Sequence, residues 1–86
     1  MDDHRKKLKY RAGHRGFREM DLLLGGFAAA HIAEMDSTEL AQFERLLEVP
    51  DWEVYSWLIG REPVPENHQS DVLDRLTEFR YEVQPG

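Results

Sequence analysis

The chain is expected to be all-α, a small single-domain bundle of about five helices. Three observations point there. Apolar residues recur at three- and four-residue spacing along most of the chain, the period of a helix face and not of a strand. No apolar/polar alternation is bounded by the Asn-Gly or Asp-Gly turns that mark hairpins. The 86 residues include no cysteine, so neither disulfides nor zinc-thiolate sites can staple the fold. A scaffold of this size must then rest on packing alone, which helices with local contacts supply most readily. Its mass predicts roughly 5,300 Å² of folded surface against roughly 14,600 Å² unfolded. That is one modest core, and residues 1–86 are expected to form one domain.

The first element, about residues 3–12, is highly charged, with Leu8, Tyr10 and Ala12 as its sizeable apolar groups. Such a helix needs a partner to hold it, and Gly13 is expected to end it. The second runs from about Arg18 to Ala33, with Met20, Leu23, Leu24, Phe27, Ala28 and Ile32 on one stripe. Gly25-Gly26 inside it implies a close helix approach, a bend or an early end. The third opens on Asp36-Ser37-Thr38-Glu39, the pattern of a capping box. It buries Leu40, Phe43, Leu46 and Leu47, and stops at Val49-Pro50. The fourth spans Asp51 to Ile59, with Asp51 as its expected cap and Gly60 just past its end. Val54, Trp57 and Leu58 make one face of it, Trp52, Tyr55 and Ile59 another. A helix apolar on two faces is either central or offers one face to another protein. After a connector stiffened by Pro63 and Pro65, the fifth covers about Asn67 to Tyr81, with Val72, Leu73, Leu76, Phe79 and Val83 expected to face the core.

The net charge of −6 is unevenly placed. Residues 1–18 carry seven Lys/Arg against two acids, a net +5, and residues 19–86 carry four against fifteen, a net −11. An acidic body with a basic N-terminal end favours electrostatic steering toward an anionic surface. Nucleic acid is not the expected partner, since positive charge is sparse where a recognition helix would lie. No apolar run reaches the roughly 18–20 residues of a membrane span. Met1-Asp2-Asp3-His4 lacks the basic start and apolar stretch of a secretory signal, and its acids argue against a retained mitochondrial presequence. The plain expectation is a cytoplasmic bacterial protein. A mitochondrial matrix protein relieved of its presequence would look the same.

Little in the chain points to catalysis, and no catalytic residue and no metal ligand set is assigned. His4, His14, His31 and His68 lie in four different segments without the i, i+4 spacing of a helical metal site. His31 and Glu34 could share a face, but hydrogen-bonded or solvated histidines explain all four. Ser37, Ser56 and Ser70 sit in cap or helix contexts, without a nucleophile elbow. Gly25-Gly26 has neither the spacing nor the lysine of a phosphate loop. One stretch stands out: Arg15-Gly16-Phe17-Arg18-Glu19 directly before the Leu-rich second helix. Arg15 offers a planar fork suited to a carboxylate or phosphate. Gly16 allows a close backbone approach, and Glu19 falls in a first turn, where a carboxylate suits the helix dipole. The same residues read equally well as a cap with a local surface charge network.

Arg15-Gly16-x-x-Glu19, followed by Asp21-Leu22-Leu23-Leu24, resembles the Arg-Gly-x-x-Glu motif of the succinate dehydrogenase flavinylation factors, also called FAD assembly factors. The resemblance continues through Phe43-Glu44-Arg45-Leu46-Leu47-Glu48 and Asp51-x-x-x-Tyr55-x-Trp57-Leu58, and spans about Arg11 to Arg80. His14 stands where many members have arginine, which changes the charge of that flank. The resemblance implies a helical assembly factor and not an enzyme. Such a factor binds the flavoprotein subunit of succinate dehydrogenase, or of fumarate reductase, and promotes covalent attachment of FAD to a histidine of that subunit. It implies a contact surface of Arg15, Gly16 and Glu19 with His14, Phe17 and Arg18 beside them, and Arg11, Asp51, Tyr55 and Trp57 as secondary partner-binding candidates. FAD is expected to be held by the partner and not tightly by this chain, and a monomer is the expected active form. The alternative is a generic helical adaptor or regulator, contacting nucleic acid through the basic end.

Overall fold

A computed structural model of the chain describes residues 1–83. Residues 84–86 of the expected single domain lie outside the described residues. Among the described residues five α-helices follow one another: α1 (Asp3–Gly13), α2 (Arg18–His31), α3 (Ser37–Leu47), α4 (Asp51–Leu58) and α5 (Asp71–Val83). Tight 3-10 turns at Ile32–Glu34 and Glu66–His68 lie between α2 and α3 and between α4 and α5. The described residues contain no strand, and none of their helices is long and apolar enough to cross a membrane.

α1 lacks a broad apolar face and is held by its neighbour. Leu8 and Ala12 are buried against the rest of the core, and α1 packs chiefly on α2. The crossing is close because both helices present glycine there: a Cβ built on Gly25 would come 3.0 Å from the Gly13 Cα. This gives Gly13 a different role from the one expected. It remains inside α1, without the positive φ of a terminating glycine, and His14 is the cap. Asp2 caps the other end, accepting the Arg5 backbone N–H at 2.8 Å. That bond is the main cause holding the Asp2 carboxyl below its ordinary pKa. Arg5 itself turns inward and donates to the Ile32 carbonyl at 3.1 Å and the Met35 carbonyl at 2.6 Å, so it is not a free member of the basic end. It thereby ties α1 to both ends of the tight turn that follows α2.

Met20, Leu23, Leu24 and Phe27 of α2 meet Leu40, Phe43 and Leu47 of α3, Val54 and Leu58 of α4, and Leu76 of α5 in one buried cluster. Of the expected core, only Phe79 is half-buried; its ring covers Gly26 and stands edge-on to Phe27 at 5.8 Å. Val83 is exposed and does not face the core as expected. The α-helix expected to run to Ala33 ends at His31, and its last residues form the tight turn at Ile32–Glu34.

The expected capping box opens α3: Glu39 N–H donates to Asp36 at 2.8 Å and Asp36 N–H to Glu39 at 3.1 Å. α5 begins at Asp71 and not at Asn67, because Ser70 supplies the cap by accepting the Leu73 N–H at 3.1 Å. Asn67 lies in the preceding turn. α4 also departs from expectation. Its N-cap is Pro50, with no side-chain cap bond, and Asp51 is its first residue. The Asp51 carboxylate is engaged elsewhere.

Candidate functional site

The link between α1 and α2 is four residues, His14 to Phe17, and it folds against the start of α4. Gly16 has φ +82°, and apart from its own chain neighbours no heavy atom lies within 4 Å of where its Cβ would be. Its backbone conformation suits glycine, and whatever stood there would point into solvent. Arg15, one residue earlier, points inward. Its Nε donates to Asp51 Oδ1 at 2.8 Å and its Nη2 to the Leu47 carbonyl at 2.7 Å. The carboxylate that Arg15 meets is thus the chain's own, a pairing that replaces the cap expected of Asp51. The two side chains are only 15% and 18% exposed, so little of the guanidinium faces outward. The Arg15 backbone N–H donates to the Asp21 carboxylate, fastening the link to the first turn of α2.

Phe17 completes the join. Its ring meets Trp52 edge-on at 4.4 Å and Tyr55 at 5.1 Å. Phe17 and Tyr55 are half-buried, whereas Trp52 is 69% exposed. Arg18 and Glu19 are exposed on the first turn of α2. His14 is exposed and stacks on Tyr10 at 3.9 Å, its Nδ1–H donating to the Tyr10 carbonyl. Arg11 is half-buried in the last turn of α1. Trp57 alone among the candidates belongs to the inward face of α4. It is buried among Val54 and Leu58, with His68 against its ring at 5.3 Å.

Along α4 the surface continues into an open groove of about 640 Å³ lined by Trp52, Tyr55, Trp57, Ile59, Pro63 and Pro65. Glu53, Glu62 and Arg61 add its charges. The second apolar face of α4, evident from residue spacing, therefore forms a surface with the Arg15–Glu19 stretch. Trp52 belongs to it and was not among the candidates, although its place on that face was the available signal. Asp21 had no such signal, since its bond to Arg15 depends on the path of the link. Among the described residues, no three His, Cys, Asp or Glu side chains gather as a metal site would require.

A sequence profile of the family described as "Flavinator of succinate dehydrogenase" matches residues 6–80. The FAD assembly factor of Acetobacter pasteurianus is 46% identical over 74 residues, covering 86% of this chain and 68% of that protein. The mitochondrial succinate dehydrogenase assembly factor 2 of Danio rerio is 38% identical over 81 residues, covering 92% of this chain and 51% of the relative. Its counterpart in Candida glabrata is 40% identical over 83 residues, covering 92% and 54%. The chain thus spans about half the length of these mitochondrial relatives. A match over nearly the whole helical domain, including both segments of the surface above, shows that the chain belongs to the succinate dehydrogenase flavinator family.

Proposed function

We propose that this chain is an assembly factor, without turnover of its own, that promotes covalent attachment of FAD to the flavoprotein subunit of succinate dehydrogenase. Fumarate reductase, with a related flavoprotein subunit, is a second client in this reading. The observation that carries the surface assignment is the union of two segments 36 residues apart, Arg15 and Asp51, in one ion pair. Beside that pair lie the bare backbone of Gly16, the exposed charges of Arg18 and Glu19 on the first turn of α2, and the aromatic edges of Trp52 and Tyr55 against Phe17. A rigid helical module with such a face can bind one arrangement of the partner better than others, and so populate it. Covalent attachment depends on orientation of the reacting groups and on stabilised charge, and the partner supplies the flavin and the nucleophile.

The chain holds no FAD tightly in this reading. The groove carries Glu53 and Glu62 against one cation, Arg61, a poor setting for a pyrophosphate. It acts as a monomer in the compartment of its client, the cytoplasm of a bacterium or the matrix of a mitochondrion. The test is the covalent flavin retained by the denatured flavoprotein subunit in cells with and without this chain. Loss of that flavin without the chain is the expected result. Unchanged flavin, with growth on succinate intact, overturns the proposal.

A further inference from the structure

We infer that Asp51 is a positioning residue for flavinylation, and that Arg15 serves the contact surface from within, through Asp51, and not by touching the partner. The inference rests on the proposed function for its activity readout, but its structural premise stands alone. Arg15 uses Nε on Asp51 and Nη2 on the Leu47 carbonyl. One guanidinium thereby joins the last residue of α3 to the first residue of α4. Its backbone N–H is tied to Asp21 on α2. Three helices thus converge on a single residue of the link, and its neighbours, the exposed Gly16 and the half-buried Phe17, inherit their position from it.

The motif therefore divides. Glu19 is exposed and its carboxylate is free to meet a partner cation, while Gly16 leaves the approach open. Arg15 and Asp51, 15% and 18% exposed, are the fastening beneath. A planar guanidinium suits this place because it serves a carboxylate and a carbonyl at once, which an ammonium on a flexible stem does less well. The fork on Arg15 looked suited to an outside anion, but its anion is internal.

The experiment compares Arg15→Gln, Asp51→Asn and the double variant in the full chain, with the flavoprotein subunit and FAD. Each single change should slow covalent flavin incorporation on the order of tenfold to a hundredfold, the scale of a small misplacement at a reacting centre. The double variant should be no slower than the worse single one, because both changes undo the same fastening. It leaves no unpaired charge, so it also guards against misreading an unfolded single variant. Asp51→Glu should recover part of the lost rate. Amide hydrogen exchange, read without any partner, should rise in the link at residue 15, whose N–H is bound to Asp21, in all three variants while exchange at Phe43 stays slow. Losses that multiply in the double variant, or full incorporation by Asp51→Asn beside failure of Arg15→Gln, would place Arg15 against the partner and overturn the inference. Unchanged exchange in the link overturns it as well. If the unaltered chain fails to raise incorporation, the proposed function fails instead, and the exchange measurement still decides the fastening.

Discussion

Where α1 crosses α2, Gly13 lies against Gly25 with Leu8 and Ala12 sealed in the core. Three residues later, Gly16 stands in open space, and the chain around it is held by an ion pair, a backbone-to-carboxylate bond and an aromatic edge. One region is fixed by exclusion of volume and water, the other by a few directed contacts at the surface. The first has no room for an added atom at Gly25 and asks nothing of a partner. The second has room for a side chain, and what it cannot absorb is displacement of its outward groups. Damage to the two regions should consequently be read by different measurements.

The largest effect on stability belongs to the sealed region. Phe43→Ala should cost roughly 3–5 kcal/mol, a large share of a small domain's stability. An unmoved denaturation midpoint would show that the cluster is not the core. Next is Gly25→Ala, whose Cβ would press on backbone at 3.0 Å. Helix propensity favours alanine, so a net loss, roughly 1–3 kcal/mol in chemical denaturation, would come from the crossing alone. A gain in stability would mean that α1 can move aside.

Gly16→Arg tests the other side of the comparison. Its φ of +82° makes any side chain cost about 1–2 kcal/mol, and nothing nearby obstructs it. Circular dichroism should remain helical while covalent flavin attachment is abolished, because the new side chain holds the partner away from Glu19 and Trp52. A variant that unfolds makes Gly16 a structural cap; one that folds and supports full attachment puts the contact surface elsewhere. The smallest expected change is Gly13→Ala. Its Cβ would meet Gly25 at an ordinary 3.9 Å, so it should stabilise by about 0.4–1 kcal/mol through the unfolded chain. Opposite signs for alanine at Gly13 and at Gly25, in the same denaturation assay, would resolve the crossing to single atoms.

The features legible in sequence were those with local causes. The capping box at Asp36 and Glu39, the stripe from Met20 to Phe27 and the stop before Pro50 depend on residues within one or two turns. The α5 start was placed too early because Asn67 and Ser70 are both polar residues that can begin a helix; Asn67 lies in a tight turn, and Ser70 makes the cap bond to Leu73. Asp51 looked like a cap because local rules favour an acid there. Its carboxylate instead follows the stronger pull of Arg15 from 36 residues away, which no periodicity encodes. The same long-range tie explains why resemblance identified the segments of the candidate surface but not its internal division. Trp57 illustrates the converse. Helical spacing grouped it with Val54 and Leu58 on one face of α4, and the structure buries that face, although the resemblance offered Trp57 as a secondary partner contact.

The two tryptophans consequently occupy opposite environments, 8% exposed at Trp57 and 69% at Trp52. This equips the protein with two built-in optical reporters. The sheltered indole emits at shorter wavelength, and its emission moves to longer wavelength when the core opens. The exposed one emits at longer wavelength and lies on the face assigned to the partner. A flavin absorbs in the region where indole emits, so energy transfer from Trp52 would report the approach of a flavin-loaded surface in real time. An unshifted emission maximum from Trp57 would certify that the fold stayed closed throughout. With Trp52→Phe and Trp57→Phe isolating each signal in turn, docking and unfolding could be followed separately in the same solution without any added label.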